Sequence, residues 1–265
     1  MLEKDRLESP RIVKILNVIE ENSDVKTLTF EDDCKAFSGQ FVMVWVPGVD
    51  EVPMSLSLIG EEKGFTVKKI GEATKAMHLL KQGDKIGIRG PYGTYFETKG
   101  KKIMVIAGGI GIAPLAPFID IAQKEGKNIT LAFGAKTKAE LLFLNRLKDR
   151  CEELLIATDD GSEGYHGFVS NLANEILEKE YFDEILTCGP ELMIKKVVDV
   201  ANNKKLPVQA SLERYMKCGV GICDSCAIDG FLVCKDGPIF SGKVLTKLND
   251  FGRFRRNACG KKEQI

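Results

Sequence analysis

A chain of 265 residues in which 38 Lys and Arg balance 38 Asp and Glu has no global field of either sign, which argues against nucleic acid or an anionic membrane as its partner. Its length suits two ordinary domains with a small appendage better than a single core. The start, MLEKDRLESPRIVKIL, lacks a basic end followed by an apolar stretch and a cleavage site, and no apolar run reaches membrane-spanning length, so a soluble cytoplasmic protein is expected.

The first hundred residues carry short alternating or apolar runs over 11–19, 25–30, 40–46, 55–59, 64–70 and 85–89, separated by Gly, Pro, Asp or Asn. That rhythm predicts a small antiparallel β-barrel, interrupted by one helix over Thr74 to Leu80. The segments 52–56 and 69–74 read as connections between strands, with ordinary hairpin chemistry.

From Lys101 the pattern becomes strand, glycine turn, helix. Helices are expected over 138–150, 170–180 and 192–204, between nearly continuous apolar strands. This predicts an α/β doubly wound parallel sheet, beginning near Thr98. After Leu206 the periodicity fades into a glycine- and cysteine-rich stretch, expected to lack an apolar core of its own and to use metal ligation in its place. Three units follow: 1–98, 99–208 and 209–265.

Of eight cysteines, Cys218, Cys223, Cys226 and Cys234 fall within seventeen residues. A secreted disulfide scaffold would spread them across a shorter chain. The gaps of four and then two residues match the plant-type [2Fe–2S] loop, although the fourth cysteine comes early. Gly219 and Gly221 suit a loop that turns its amides toward sulfur. A structural zinc site also takes four cysteines, usually as two separated knuckles, and stays open as an alternative. Cys34, Cys151 and Cys259 show no partner by spacing.

Gly108, Gly109 and Gly111 follow a strand and open a helix, the arrangement that receives a pyrophosphate, with Pro114 where a third fingerprint glycine would stand. Cys188, Gly189 and Pro190 end the last strand of the pattern, at the sheet edge where ligands bind, which would put Cys188 beside a nicotinamide. Asp159-Asp160-Gly161 ends another strand at that edge. It reads equally as a solvated turn or as an acid facing an adenosine ribose, and the acid would favour NAD over NADP. His78 and His166 have no nucleophile at motif spacing and read as surface or capping residues. No organic-substrate site and no catalytic residue are found.

Taken in order, Gly39-Gln40-Phe41-Val42, Pro53-Met54-Ser55, Gly71-Glu72-Ala73-Thr74, Gly90-Pro91-Tyr92-Gly93, Gly108-Gly109-Ile110-Gly111 with Pro114, and Cys188-Gly189-Pro190 resemble the ferredoxin–NADP reductase superfamily over about four fifths of the chain. With Glu213 to Cys223, Cys226 and Cys234-Lys235-Asp236-Gly237-Pro238 added, the chain is similar to the electron-transfer subunits of dihydroorotate dehydrogenase B.

The resemblance implies an FAD-binding barrel, an NAD-binding sheet with NAD as co-substrate, and a [2Fe–2S] segment. It places Pro53, Met54 and Ser55 against the isoalloxazine and Ala73 and Thr74 on the FAD phosphates, with Lys68, Lys69, Ile70 and Gly71 leading into that turn. Val52 stands where an arginine is usual, and Lys68 or Lys69 is expected to supply the missing cation. It implies as partner an FMN-containing catalytic subunit that oxidises dihydroorotate in pyrimidine biosynthesis, in a heterotetramer of two copies each. A reductase subunit of a related ferredoxin:NAD(P) oxidoreductase or sulfhydrogenase stays open, as does a zinc-holding nucleotide-binding module. Some of those reductases carry Asp at the first ligand position, and Cys218 favours the first reading. The basic and aromatic stretch 251–256 reads as a solvated tail or a docking element. The cluster loop should lie near the flavin on one side and at an exposed interface on the other.

Overall fold

The computed structural model describes residues 9–265, so the first eight residues of the start read above lie outside the described residues. Six strands, β1 (Arg11–Asn22), β2 (Val25–Glu31), β3 (Phe41–Val46), β4 (Asp50–Ile59), β5 (Glu62–Lys68) and β6 (Lys85–Tyr92), close into a barrel in the order β1-β2-β5-β4-β3-β6. Every pairing is antiparallel. Closure leaves no free edge, and the inward-facing residues, among them Ile15, Leu28, Phe30, Leu56, Phe65 and Ile88, are fully buried. Each such side chain contributes about 1.5–3 kcal/mol through burial.

Two local expectations change. Residues 52–55 lie inside β4, with Pro53 opposite Met43 and Ser55 opposite Phe41. Proline is tolerated there because β4 joins β5 only from Leu56 onward, so at Pro53 its other side has no ladder to supply. The helix, α1 (Glu72–Met77), starts earlier and ends sooner than the apolar spacing suggests, because Thr74 caps it from within.

The second sheet follows from the continuous apolar runs. β7 (Lys102–Gly108), α2 (Ile112–Lys124), β8 (Asn128–Ala135), α3 (Leu144–Lys148), β9 (Glu153–Thr158), β10 (Tyr165–His166), α4 (Val169–Lys179), β11 (Glu184–Cys188), α5 (Glu191–Asn203) and β12 (Val208–Ser211) alternate along the chain. The strand order is β10-β9-β8-β7-β11-β12, all parallel, with one apolar core on each face. Pairing of Ala107 with Cys188 and of Gly108 with Gly134 brings the carboxyl ends of the central strands to one edge.

The helix expected over 138–150 is broken. A 3-10 turn at Lys138–Glu140 is followed by Leu141 in extended backbone, by Phe143 at φ 60° and only then by α3. Four consecutive apolar residues, 141–144, cannot share one helical face. The break lets Leu142 bury fully, with Leu141, Phe143 and Leu144 packed beside it.

The carboxyl-terminal segment holds β13 (Ala227–Ile228), β14 (Phe231–Leu232), α6 (Val233–Asp236), β15 (Ile239–Ser241), α7 (Gly242–Leu245), β16 (Phe254–Arg256) and β17 (Lys262–Gln264). As expected it has no core of its own, but it is not left without one. β15 adds to β12 as an antiparallel seventh strand of the sheet, and Met216, Ile228, Val233, Phe240, Leu245 and Phe251 enter the core shared with α4 and α5. The stretch beyond Phe251 is no loose tail either, since β16 and β17 form a ribbon, tied back by Lys262 to Asp250 at 2.5 Å.

Side-chain locks hold the barrel to the rest. Arg146 donates to Ser57 O at 3.0 Å and pairs with Asp120, and Ser38 Oγ donates to Pro114 O at 3.1 Å. Thr94 exchanges hydrogen bonds with the backbone of Gly237 and Ile239 at 2.7–3.0 Å. Among the described residues no helix is long and apolar enough to cross a membrane.

Candidate functional site

The cluster loop is built around sulfur. Positive φ at Gly219 (73°), Gly221 (79°) and Asp224 (61°) winds residues 218–226 so that amides point inward. Val220 and Ile222 N–H donate to Cys218 Sγ at 3.5 and 3.3 Å, Gly221 N–H to Cys234 Sγ at 3.2 Å, and Cys234 N–H to Cys226 Sγ at 3.4 Å. Cys226 and Cys234 are buried, Cys218 is half-buried, and Cys223 is exposed beside Ile222, which is 81% exposed.

All four are free thiols, with hydrogen-bonding contact between Cys218 and Cys223 and between Cys234 and Cys226. As free thiols they differ in acidity. Burial works to raise Cys218, but the amides of Ile222, Cys223 and Val220 outweigh it and bring its pKa down to about 6. Burial, followed by the neighbouring Cys226, pushes Cys234 up to about 12.

A single tetrahedral zinc with Zn–S bonds of about 2.3 Å would hold all four sulfurs within about 3.8 Å of one another. Among the described residues the only three metal-ligating atoms mutually within 4.8 Å are those of Asp32, Asp33 and Cys34, so no three of the cluster-loop sulfurs converge on one point. Two sulfur pairs with amides aimed at them fit a binuclear iron–sulfur cluster and do not fit one ion. The trio at Asp32 is a structural knot, in which Asp32 pairs with Arg11 at 2.6 Å and accepts the Cys34 N–H at 3.0 Å.

On the barrel, Val52, Pro53, Met54 and Ser55 form a half-buried strip of β4. In the following turn, Thr74 Oγ1 accepts the N–H groups of Ile70 and Gly71 at 2.9 Å each and donates to Gly71 O at 3.0 Å. The hydroxyl therefore holds the turn in shape. Ala73 is buried beneath it, Ile70 is 74% exposed, and a Cβ at Gly71 would meet nothing within 4 Å. That open strip is the room a dinucleotide phosphate needs, so the residues present fit the flavin cofactor that the resemblance implies.

On the sheet, the glycines of the turn after β7 have two different jobs. A Cβ on Gly111 would lie 2.4 Å from Cys188 O, and one on Gly108 would lie 2.7 Å from Met193 Sδ and 2.8 Å from Pro190 Cδ. A Cβ on Gly189, at φ 152°, would lie 2.9 Å from Gly108 Cα. The turns 108–111 and 188–190 thus interlock through missing side chains. Gly109, at φ 53°, faces open space, and Pro114 lies in the first turn of α2. Burial pushes the Cys188 thiol up to about 12, opposed by its hydrogen bond with Ser211.

Gly109 and Ile110 share a cleft with Lys68, Asp24, Asn22 and Glu140. Lys68 Nζ lies 3.4 Å from Glu140 Oε2 across it, and Asn22 Nδ2 donates to Ala139 O at 3.2 Å. Lys69 is exposed, and its N–H is bound to Asp24 O at 2.8 Å. Asp160 lies outside this cleft, in its own turn. Its carboxylate accepts the Ser162 hydroxyl at 2.6 Å and the Ser162 N–H at 3.0 Å, which hold it below the usual carboxylate range. His78 is the buried C-cap of α1, with Nε2 3.1 Å from Val67 O, and His166 is exposed.

Comparison with known proteins meets this geometry in the sheet and in the cluster segment. Residues 213–246 match the family described as the iron-sulfur cluster binding domain of dihydroorotate dehydrogenase B, and residues 105–199 match the oxidoreductase NAD-binding domain. A protein of Methanocaldococcus jannaschii named probable dihydroorotate dehydrogenase B (NAD(+)), electron transfer subunit, is 50% identical over 97% of this chain and 99% of its own length. A protein of Methanothermobacter thermautotrophicus with the same name is 42% identical over 97% of this chain and 98% of its own. The chain belongs to the dihydroorotate dehydrogenase B electron-transfer subunit family. The solved structure of an NADH-dependent reduced ferredoxin-NADP oxidoreductase is 29% identical, with a TM-score of 0.79 over 88% of this chain and 89% of the other. The FAD/NAD binding domain of a Vibrio cholerae nitric oxide dioxygenase, 17% identical with a TM-score of 0.67 over 75% and 94%, shares the fold alone.

Two ion pairs at this family's site escape sequence reading. Arg89 on β6 holds Glu51 on β4 through two bonds of 2.7 and 2.6 Å, and reaches Cys218 O at 3.1 Å. Arg214, 2% exposed, binds Glu191 at the start of α5, and Glu191 also accepts the Gly252 N–H at 2.8 Å. No local spacing announces either pair. Glu51 and Arg89 become neighbours only because β3 lies between their strands.

Proposed function

We propose that this chain carries electrons from a partner FMN-containing dihydroorotate dehydrogenase catalytic subunit, through a [2Fe–2S] cluster and FAD, to NAD+, in pyrimidine biosynthesis. The observation that carries this reading is the cluster loop. Its free thiols contact one another as two pairs, its amides face them, and Cys223 and Ile222 stand exposed while Gly219 rests on Met43 and Tyr92 of the barrel.

Residues 1–98 form the FAD unit, 99–208 the NAD unit and 209–265 the cluster unit, the last two joined through β12 and β15. Cys218, Cys223, Cys226 and Cys234 ligate the cluster. Pro53, Met54 and Ser55, with Val52, lie along the isoalloxazine. Lys68, Ile70, Gly71, Ala73 and Thr74 shape the FAD phosphate site, with Lys69 at its margin. Lys68, in the cleft, is the better placed of the two lysines to replace the arginine absent at Val52. Gly108, Gly109, Gly111, Pro114, Cys188, Gly189 and Pro190 form the nicotinamide dinucleotide site, and the charge of Asp160 disfavours a 2′-phosphate there.

When bound, the flavin exchanges two electrons with a nicotinamide and one at a time with an iron–sulfur centre. The chain's own contribution is to orient and to insulate. The interlocked turns 108–111 and 188–190 fix one edge, the capped turn at Thr74 fixes another, and the amides of 220–222 and 234 stabilise negative charge on sulfur. The protein works in the cytoplasm, as a heterotetramer of two copies of each subunit.

Coexpression with the catalytic subunit tests the reading. Dihydroorotate-dependent NADH formation should appear in the complex and not with either subunit alone. Stable pairing with a ferredoxin oxidoreductase subunit, and none with the dihydroorotate-oxidising one, would overturn it.

A further inference from the structure

We propose that Arg89 is a positioning residue for the cluster: it fixes the first cluster cysteine against the flavin barrel, and its charge, tempered by Glu51, sets the cluster's reduction potential. This inference rests on the proposed function and deepens it.

Arg89 lies where β4, β6 and the cluster loop meet. Its guanidinium spends Nε and Nη2 on both carboxylate oxygens of Glu51, a fork geometry that only arginine offers, and Nη2 also donates to Cys218 O at 3.1 Å. Nη1 lies 3.4 Å from Tyr92 Oη, and the guanidinium stands 5.9 Å from the centre of that ring. Glu51 holds Arg89 in its charged form, against partial burial. Glu51 is one residue before Val52, and Tyr92 closes β6. The same arginine therefore touches the strand proposed to face the flavin and the backbone of a proposed cluster ligand.

Packing makes this contact tight. Gly219, next to Cys218, sits so close to the barrel that a Cβ would lie 2.8 Å from Met43 Cγ, and Gly93 would meet Pro238 Cδ at 2.5 Å. The cluster loop cannot shift along the barrel without breaking the Arg89 hydrogen bond.

Electrostatics gives the contact a measurable sign. Transfer of one electron onto the cluster adds a negative charge and makes or breaks no bond. A cation bonded to a ligand's own carbonyl favours the reduced state, and the anion paired with that cation opposes it. Arg89→Gln, which leaves Glu51 unpaired, should therefore lower the potential, and Glu51→Gln, which leaves Arg89 uncompensated, should raise it. The opposite signs separate this role from a purely mechanical one, since loss of either partner breaks the same ion pair.

The experiment is an EPR-monitored redox titration of the full chain with its catalytic subunit, after iron, labile sulfide and flavin have been measured. With iron content retained, the reduction equilibrium of the cluster should move about tenfold, equivalent to about 59 mV for a one-electron couple, downward in Arg89→Gln and upward in Glu51→Gln. Arg89→Lys, which keeps the charge and loses the fork, should hold a potential near wild type but change the EPR line shape. If Arg89→Gln fails to retain iron, Glu51→Gln alone decides. An unchanged potential in Glu51→Gln, or shifts of the same sign in both variants, overturns the proposal. Wild-type protein without iron would overturn the functional reading as well, which keeps the two failures apart.

Discussion

Two glycine-bearing turns in this molecule look alike in sequence and differ in what their glycines do. At Gly108–Gly111 the missing side chains are filled by protein, since Gly111 makes room for the Cys188 carbonyl and Gly108 for Pro190 and Met193. At Gly219 and Gly221 the backbone itself is turned, with φ of 73° and 79°, so that N–H groups meet Cys218 and Cys234 sulfur. The first turn is a joint between two loops and the second is a nest for charge. A glycine signature thus reports where backbone comes close, without saying whether the neighbour is chain or ligand.

The largest expected effect is on the nest. Cys226→Ser should abolish cluster absorbance and destabilise the segment around 213–246, because a buried ligand is lost together with the metal's contribution to folding. Metal analysis with thermal unfolding checks this. Gly111→Ala comes next, since its Cβ meets rigid backbone, and it should destabilise the protein by roughly 3 kcal/mol in urea titration and weaken NADH binding as the joint opens. Gly219→Ala, facing the pliable Met43 but at positive φ, should cost about 2 kcal/mol, and Gly109→Ala, in open space, about 1 kcal/mol. Equal effects at 109 and 111 would break the comparison between joint and open position.

Smaller effects test the cleft beside the joint. Lys68→Met should weaken FAD retention about tenfold, followed by flavin fluorescence, whereas Lys69→Met should change it less than about twofold. Asp160→Asn should improve NADPH use only by about two- to fivefold, because its carboxylate already serves Ser162 in an exposed turn. Least of all, Cys188 should resist iodoacetamide at pH 8 while exposed Cys259 reacts. Its pKa near 12 leaves it almost wholly a thiol there, and reactivity should emerge only as the pH rises toward that value.

Much of this architecture was legible because it rests on periodicity. Six short alternating runs gave the barrel, and continuous apolar strands between helices gave the parallel sheet. What stayed hidden depended on contacts distant in sequence. Pro53 looked like a turn residue because proline opposes strands, and only the missing ladder on one side of β4 permits it. The segment after Leu206 looked coreless because its apolar residues, from Met216 to Phe251, fill a core made by other elements. The helix expected over 138–150 breaks because four apolar residues in a row satisfy a composition count and defeat a helical face. At the site, cysteine spacing was readable and the Glu51–Arg89 and Glu191–Arg214 pairs were not, since each joins segments distant in sequence that only the fold brings together.

The central claim is that four cysteines at 218, 223, 226 and 234 hold an iron–sulfur cluster beside a flavin. Iron, zinc, acid-labile sulfide and flavin should be quantified on the anaerobically purified full chain, with an EPR spectrum after reduction. The account predicts about two irons and two sulfides per chain, a released flavin and a paramagnetic reduced cluster. Colourless protein with zinc, no iron and no flavin would contradict it.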